Sequence, residues 1–455
     1  MNVKSKINFC KDLAICALKG GPKYYAWLGF LGFFVMLWAY GWYHQATKGM
    51  IVTGLTDQVT WGIYLANFVF LVGVAAAAVT VVFPAYIYKH KQLKEIVVLG
   101  ECLAIAAVVM CLLFVLAHMG RPDRAWHMIP SWAPIPYFHG IFNWPNSMLT
   151  WDVMVLNAYL VLNLICAFYY LYKKYAGREI NKRFYMPFVY VTMVWALSIH
   201  TVTAFLINTM PARPMWFHSV MPIKFIITAF AAGPCLIIVA FLVIRKNTTL
   251  KIADEAINLL SQIITWCLGI ALFLALSEIV TELYPSTEHS FSLKYLMFGM
   301  HGLTKLVPWF WVSLLSMITA FILFLIPSIR KNHNILPYIC ILAFAGIWIE
   351  KGMGLLLPGF IPSPIGEFTE YTPSWIEIFI SLGSWAIGLG VFTILLKFSV
   401  GILTGEIRYN GDDGAGGPAA VPVVGNAAAT APKDAASTGP KPWDKGKWGG
   451  GGKKE

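Results

Sequence analysis

The side chains best suited to chemistry lie between Ala117 and Asp152, in a long interruption between two apolar segments. The stretch reads AHMGRPDRAWHMIP and then SWAPIPYFHGIFNWPNSMLTWD, and it contains three of the ten histidines. Arginine donates hydrogen bonds in a fixed fork, histidine and aspartate exchange protons with a hydroxyl, and tryptophan offers a flat apolar wall. We therefore expect the functional site to lie near this stretch.

A second loop resembles the first. GRPDRAWHMIP and ARPMWFHSVMP each place Arg-Pro beside a tryptophan, a histidine and a second proline. A quinone headgroup, with two carbonyls that become hydroxyls on a flat ring, would use all of these groups together. An ordinary aromatic belt with arginines at the helix ends explains the same residues equally well, because such belts are common in membrane proteins. The loops alone leave both interpretations open.

Composition identifies the class of protein that must position these groups. The chain has 455 residues, of which 58% are hydrophobic and 12% are charged, and it contains repeated apolar runs. These features indicate an all-α polytopic membrane protein and exclude a soluble enzyme. The eight cysteines are scattered without a C-x-x-C pair, so no zinc, iron–sulfur or other metal site is expected.

Windows of about 20 apolar residues predict ten transmembrane helices. The predicted spans are Tyr24–Trp42, Trp61–Tyr88, Glu95–His118, Met148–Tyr172, Tyr185–Asn208, Val220–Ile244, Ile257–Leu283, Gly302–Ile326, Ile335–Leu357 and Ser374–Val400. They form a membrane domain over residues 24–405, preceded by a cytoplasmic segment, 1–23, and followed by a Gly-, Ala-, Pro- and Lys-rich cytoplasmic tail, 406–455, which we expect to be disordered.

The basic residues predict the orientation. Most of the net charge of +12 lies in one set of alternate connections between spans. The other set carries Lys48, Arg121, Arg124, Arg213 and Lys294. Because lysine and arginine accumulate in cytoplasmic loops, both termini are predicted to be cytoplasmic. The charge therefore reflects topology, and nucleic-acid binding is not expected.

Ionisable residues inside the spans predict a route for a ligand or for protons. His200, Glu278 and Glu350 lie deepest, and all three fall in the half of the bilayer that is predicted to be outer. Charged groups in hydrocarbon are costly, so they normally face a bundle interior or a wet cavity. We assign these three residues to a possible proton route.

Four segments carry a family resemblance: HMGRPDRAWHM, SMLTWDVMVLN, TWGIYLANFVFLVGVAAAA and RPMWFHSVMPIKFIITAFAAG. With them the chain resembles the NrfD/PsrC family of membrane quinone-interacting subunits, most closely the branch with DsrP and HmcC. The resemblance spans roughly residues 24–405. It implies two four-helix bundles, made from spans two to five and six to nine, with the first and last helices on their flanks.

The resemblance also implies a function in the cell membrane. The subunit would exchange electrons between menaquinone and a ferredoxin-like iron–sulfur subunit on the outer face, alongside further cytochrome and membrane subunits, in sulfur or sulfite metabolism. It would hold no haem or iron–sulfur cluster, so alone it would not be an enzyme. Carried over onto matching positions, the residues expected to border the quinone are His118, Arg121 and Asp152, with Asp57, Trp61 and Asn67 as the other wall.

Three alternatives remain. A haem-b quinol oxidase needs facing axial histidines, whereas only His200 lies well inside a span. A secondary transporter is favoured by the sequence EKGMG at Glu350, which is typical of a glycine-broken helix beside charges, but carriers bind near the midplane. A purely structural membrane anchor leaves the deep carboxylates unexplained.

Overall fold

A computed structural model of the chain describes residues 3–88, 90–94, 96–128, 138–139, 144–145, 147–285 and 287–409. Most of the predicted tail, 406–455, lies outside these ranges, and so does most of the segment 129–146 within the long interruption. The predictions that concern those residues therefore stay predictions.

Helices make up most of the described chain. They are α1 (Val3–Leu18), α2 (Pro22–Lys48), α3 (Ile63–Ala76), α4 (Val79–Tyr86), α5 (Lys91–Lys94), α6 (Val97–His118), α7 (Met148–Tyr175), α8 (Lys182–Asn208), α9 (Met221–Asn247), α10 (Asp254–Leu283), α11 (Phe291–Phe298), α12 (Val307–Leu325), α13 (Pro327–Arg330), α14 (Leu336–Ile349) and α15 (Trp375–Leu403). Short 3₁₀ turns cover Met50–Val52, Pro122–Met128, Glu288–Ser290 and Pro358–Phe360. A π-helical segment covers Glu350–Leu356. Two short strands, β1 (Phe138–His139) and β2 (Trp144–Pro145), pair antiparallel.

Ten of these segments are long and apolar enough to cross a membrane, which confirms the predicted number of spans. The second span combines α3 and α4 across a turn at Ala77 and Ala78. The ninth combines α14, the π-helical segment and the 3₁₀ turn that ends at Phe360. The chain is therefore a multi-pass membrane protein.

The spans form the two expected bundles. The first contains α3, α4, α6, α7 and α8, and the second contains α9, α10, α12 and α14, while α15 packs against both α2 and α6. The α3 helix also contacts α9 and the π-helical segment, so it joins the bundles. Burial reflects this position. In the second span 94% of the most apolar window is buried, compared with 22% in α12.

A glycine allows the two bundles to approach closely. A Cβ atom added to Gly233 of α9 would lie 1.7 Å from Cβ of Ala77, which is far inside van der Waals contact. Alanine at this position would therefore force α9 away from the turn between α3 and α4. Small residues play this part at many membrane helix contacts, because they let backbones pack together.

The N-terminal segment forms a helix, α1, that packs against one end of the first bundle. Phe9 makes edge-to-face contacts with four aromatic rings at centroid distances from 5.2 to 6.3 Å: Phe168, Tyr172, Tyr175 and Phe398. On the same face of α1, Ser5 accepts a hydrogen bond from Tyr172, and Asp12 accepts one from Tyr175 at 2.6 Å. This face attaches α1 to α7 and α15.

At the predicted outer face, Glu377 of α15 connects two loops. Its fully buried carboxylate accepts hydrogen bonds from the backbone N–H groups of Gly54 and Ser374 at 2.7 and 2.8 Å, and from the Tyr371 hydroxyl at 2.7 Å. The Tyr371 oxygen in turn accepts from the backbone N–H of Ile63 at 3.1 Å. Burial, and then the nearby Glu377 carboxylate, raises the pKa of Tyr371, which keeps the hydroxyl protonated as a donor.

This network predicts the effect of replacing Glu377. In Glu377→Gln one acceptor oxygen becomes an NH₂ group, which faces donors, so we expect the free energy of unfolding to fall by about 2–4 kcal/mol. Thermal unfolding of the purified protein in detergent measures the change. Glu367→Gln, at an exposed position in the loop before α15, is the matched control. Equal unfolding temperatures for the two variants would contradict the proposed stabilising role.

Candidate functional site

Asp152 is a buried carboxyl group inside the first bundle. It lies in the first turns of α7, is fully buried, and accepts a hydrogen bond at Oδ1 from the Thr203 hydroxyl of α8 at 2.9 Å. Its second oxygen, Oδ2, has no hydrogen-bond partner among the described residues. Leaving a buried polar atom unpaired costs roughly 1–3 kcal/mol, so this oxygen is a candidate ligand contact.

His118 is the last residue of α6 and is half-buried, and its Nδ1 has no hydrogen-bond partner within the described ranges. The backbone beside it is held from two sides. Gln45 of α2 donates to the carbonyl of Ala117 at 2.5 Å and accepts from the Tyr64 hydroxyl of α3 at 2.8 Å. The bridge through Gln45 therefore positions the end of α6 and the imidazole that follows.

Two of the other expected quinone contacts are at the surface. Arg121 donates to both carboxylate oxygens of Asp123, at 3.0 and 2.9 Å, and its side chain is 66% exposed. This hydrogen bond lowers the pKa of Asp123. Asp57 is also exposed. In the part of the chain that the structure describes, no hydrogen bond or ion pair joins Arg121 to His118 or to Asp152.

Trp61 lies in an aromatic cluster. Its ring stacks on Trp216 with centroids 5.7 Å apart, and Trp216 packs edge-to-face on Phe360 at 4.9 Å. The guanidinium of Arg213 lies 4.6 Å from the centre of the Phe360 ring. Arg213 and Arg121, which occupy similar sequence motifs, therefore have different environments: one stacks on an aromatic ring and the other forms a surface ion pair.

Asn67 faces the second bundle and the last helix. Its Oδ1 accepts hydrogen bonds from the indole N–H groups of Trp348 and Trp385, both at 2.9 Å, and its Nδ2 donates to the carbonyl of Ile63 at 2.8 Å. The amide thus holds α14 and α15 to α3. These contacts use both lone pairs of the amide oxygen, and they indicate a structural role.

The predicted carboxylates of the second bundle meet at one lysine. Lys224 of α9 lies 2.5 Å from Glu278 of α10 and 2.9 Å from Glu350 of the π-helical segment. His218 lies 3.5 Å from Glu278, and Lys351 lies 3.8 Å from Glu350. We call these five residues the ion cluster. It borders a cavity of about 50 Å³ whose other walls include Met215, Leu293 and Phe310.

The π-helical segment carries both Glu350 and Lys351, and both side chains face the interior of the membrane domain, where Glu350 lies 2.9 Å from Lys224 and Lys351 is 2% exposed. Wider turns of this kind are frequent at functional sites. Of the two glycines in EKGMG, Gly352 serves close packing, since a Cβ atom added to it would lie 3.1 Å from Cβ of Ala66 on α3.

His200 of α8 lies between the bundles, where its Nε2 is 2.6 Å from the carbonyl oxygen of Phe225 on α9. The three residues of the possible proton route therefore lie on both sides of the bundle interface. His200 extends from the first bundle, whereas Glu278 and Glu350 belong to the ion cluster. Lys224 and Lys351 complete this polar region, and sequence reasoning placed neither of them in the route.

The predicted inner half of the first bundle also holds an acid. Glu101 of α6 is buried, the Tyr185 hydroxyl donates to its Oε1 at 3.5 Å, and the Tyr86 hydroxyl donates to Tyr185 at 3.3 Å. Sequence reasoning assigned this carboxyl no role, because its tyrosine partners come from other spans. A glutamate within the apolar run GECLAIAAVVM was the available signal.

Comparison with known proteins identifies a family. The family model described as "Polysulphide reductase, NrfD" matches residues 51–361. Three relatives align over most of their own length. A selenate reductase subunit of Mesobacillus selenatarsenatis is 22% identical over 81% of this chain and 91% of its own length. The "Hdr-like menaquinol oxidoreductase integral membrane subunit" of Archaeoglobus fulgidus is 22% identical over 78% of this chain and 86% of its own length. The "Menaquinone reductase, integral membrane subunit" of Nitratidesulfovibrio vulgaris is 21% identical over 85% of this chain and 91% of its own length.

The ion cluster predicts a strong effect of removing its central lysine. Lys224→Met leaves two buried carboxylates without their shared partner, so we expect the free energy of unfolding to fall by about 3–5 kcal/mol. The double variant that adds Glu278→Gln should recover much of this loss, since Glu350 then still has Lys351 beside it and no carboxylate is left unpaired. Thermal unfolding in detergent compares the variants, and a double variant less stable than Lys224→Met would contradict the pairing argument.

The contacts of Asn67 predict a structural phenotype. Asn67→Leu removes the acceptor of two indole N–H groups, so we expect a loss of about 2 kcal/mol in the free energy of unfolding. Asn247→Leu, at an exposed position near the end of α9, is the control. A variant at Asn67 with unchanged stability but weakened quinone binding would instead support the quinone-wall role that sequence reasoning assigned to it.

Proposed function

Since the chain belongs to the polysulphide reductase NrfD family, we propose that it is the integral membrane subunit of a respiratory redox complex, exchanging electrons with menaquinol or menaquinone near the predicted outer face. The observation that carries this proposal is Asp152, a fully buried carboxyl group at the end of the first bundle with one oxygen that has no hydrogen-bond partner among the described residues. The names of two relatives, a menaquinol oxidoreductase subunit and a menaquinone reductase subunit, support the choice of quinone.

In this proposal His118 and Asp152 act on the quinone ring. A quinol hydroxyl needs an acceptor for its proton, and a quinone carbonyl needs a donor. Nδ1 of His118 and Oδ2 of Asp152 have no hydrogen-bond partner within the described ranges, and each can serve in either role, depending on whether it is protonated. Thr203 holds the Asp152 carboxyl in place, and the bridge through Gln45 holds the end of α6.

The remaining residues of the proposed pocket surround this pair. Arg121 and Asp57, both exposed, would form the polar entrance of the pocket. Arg121 would break its ion pair with Asp123 and donate a hydrogen bond to a quinone carbonyl instead. Trp61 would contribute an apolar edge through its cluster with Trp216. Asn67 would support this wall of the pocket by holding the α3 helix against α14 and α15.

The electrons would leave through a partner. A ferredoxin-like iron–sulfur subunit docked on the predicted outer face would receive them, or would supply them in the reverse direction. Large apolar side chains are exposed there on three loops, at Ile51, Trp126 and Phe217. In the proposal these side chains would supply apolar contacts to the docked subunit. The proposal also includes further cytochrome and membrane subunits as partners. It places the complex in the cell membrane and assigns it a role in sulfur metabolism.

Proton movement would use His200, Glu278 and Glu350. A secondary transporter or ion-coupled carrier is the second candidate function, and the ion cluster beside a cavity favours it. That cavity measures about 50 Å³, whereas pockets for organic ligands measure roughly 300–1,000 Å³. It has room for a few waters or a small ion. A carrier of metabolites would therefore need a wider site.

Quinone binding tests the proposal. In a titration of the purified protein with a fluorescent menaquinol-site inhibitor, Asp152→Asn and His118→Ala should each bind roughly 10- to 100-fold more weakly, because each loses a hydrogen bond that involves a charged or ionisable group. Arg121→Ala should weaken binding as well. Asp254→Asn, at an exposed aspartate on the opposite face, is the control. Wild-type affinity in both the Asp152 and His118 variants would remove the quinone from this pocket.

A further inference from the structure

Thr203 of α8 lies beside two hydrogen-bond acceptors but has one hydroxyl hydrogen. Its Oγ1 is 2.9 Å from Oδ1 of Asp152 on α7 and 2.9 Å from the backbone carbonyl oxygen of Ile199, four residues earlier in α8. A threonine hydroxyl can donate to one acceptor at a time, while its lone pairs can also accept. The acceptor that receives the hydrogen therefore depends on the charge of Asp152.

When Asp152 is ionised, its carboxylate is the stronger of the two acceptors. Hydrogen bonds to a charged oxygen are roughly twice as strong as neutral ones, so the hydroxyl donates to Oδ1. The carbonyl of Ile199 loses little, because it also accepts the backbone N–H of Thr203 within the α-helix. Asp152 and Thr203 are both fully buried, so this contact is shielded from solvent.

When Asp152 is protonated on Oδ1, the same contact works in the opposite direction. The carboxylic O–H donates to Oγ1 of Thr203, and the Thr203 hydroxyl turns its hydrogen to the carbonyl of Ile199. All three groups are then hydrogen-bonded, and only hydrogen atoms have moved. Thr203 thus gives Asp152 a hydrogen-bond partner in either charge state.

A partner of this kind suits a carboxyl group that gains and loses a proton in each turnover. We propose that Thr203 is a positioning residue that controls the ionisation of Asp152, because its hydroxyl reverses the direction of their hydrogen bond as the carboxyl accepts or releases a quinol proton. The inference rests on the proposed function, in which Asp152 acts on the quinone ring. It adds the residue that lets this carboxyl change its charge inside the bundle.

The proton transfer conserves charge and moves no electrons. In the proposed function a quinol hydroxyl gives its proton to Oδ2 of Asp152, which has no hydrogen-bond partner among the described residues. One O–H bond breaks on the quinol and one forms on the carboxyl, which becomes neutral. Half a turn about the Cβ–Cγ bond then brings the new O–H to Thr203. The quinol anion passes its electrons to the iron–sulfur subunit of the proposed complex, and the steps reverse for quinone reduction.

The charge of Asp152 is not set by an ion pair within the described ranges. Several elements pack against the predicted outer end of α7. Their titratable side chains are Cys111 and His118 of α6, His200 of α8, Glu377 of α15, and Arg121, Asp123, Arg124 and His127 of the 3₁₀ turn. In the described part of the chain none of them is hydrogen-bonded or ion-paired to Asp152, whose one such contact is with Thr203.

Substitutions of Thr203 separate control of charge from packing. Thr203→Val replaces the hydroxyl by a methyl group, so the ionised carboxylate loses its donor, and Thr203→Ala removes the hydroxyl in a second way. Thr203→Ser keeps the hydroxyl and should restore the wild-type behaviour. Thr192→Val is the matched control, because Thr192 is buried on the same helix and donates to the carbonyl of Phe188 at 2.7 Å.

Infrared spectroscopy of the purified protein in detergent measures the charge of Asp152 directly. A protonated carboxyl group has a C=O stretching band that the ionised form lacks, and the band that Asp152→Asn removes belongs to this residue. We expect the pH at which the band falls by half to rise by about one unit in Thr203→Val and Thr203→Ala. The reason is that the ionised form loses a charged hydrogen bond and the neutral form loses a weaker one. Thr203→Ser and Thr192→Val should titrate like the wild type.

Quinol oxidation by the complete redox complex gives a second measurement. If ionised Asp152 accepts the quinol proton, the rate rises with pH as this carboxyl loses its own proton. In Thr203→Val the rise should move to higher pH by the same amount, so that the rate is about tenfold lower on the acid side and unchanged at high pH. A purely structural role for Thr203 would lower the rate equally at every pH.

Several results would overturn the inference. Wild-type titration of the Asp152 band in Thr203→Val and Thr203→Ala would reduce Thr203 to a packing residue. A band that stays constant over the whole pH range in which the protein is folded would show that Asp152 does not change its charge. Either result, in a protein that binds the quinol-site inhibitor, leaves the proposed function intact. A shifted titration in a protein that binds no inhibitor would reject the proposed function and, with it, the transfer from quinol.

Discussion

Close packing between α3 and α9 is the constraint on which the membrane domain depends. The two bundles share this contact, and the absence of a side chain at Gly233 lets the backbones meet at Ala77. Every polar feature near the interface follows from that approach. His200 reaches across to the Phe225 carbonyl, and the π-helical segment brings Lys351 to the same place. Wider separation would leave these groups without partners in a medium that cannot solvate them.

The buried polar groups fall into two classes with different physical roles. Glu377 and Asn67 have their oxygen atoms occupied by donors from other segments, so each stabilises the arrangement of helices and loops. Asp152, His200 and Lys351 each keep at least one polar atom that has no partner among the described residues. An incomplete set of hydrogen bonds costs stability, and a protein that retains such groups in its interior does so where a ligand or a proton can complete the set.

The sequence predicted the fold further than it predicted the site. Apolar windows depend on local composition, so the ten spans could be counted without a structure. The two bundles followed from the family resemblance. Contacts between helices depend on which face each span turns inward, and the long apolar helices carry little of that information. Hence Glu278 and Glu350 could be recognised as intramembrane acids, but their shared partner Lys224 could not. The aromatic cluster at Trp61 and the hydrogen bonds of Asn67 to Trp348 and Trp385 were missed for the same reason.

The pairing of the first and last spans has a consequence for biogenesis. The α2 helix packs along α15, and Phe9 of α1 contacts Phe398 near the end of the same helix. A ribosome delivers these segments to the membrane at opposite ends of translation. The earliest helices must therefore wait in the bilayer, with these surfaces uncovered, until the eight intervening spans and then α15 have been inserted. Completion of the domain is thus a late event, and a chain truncated before α15 would leave the flank of the first bundle open to lipid and to quality-control proteases.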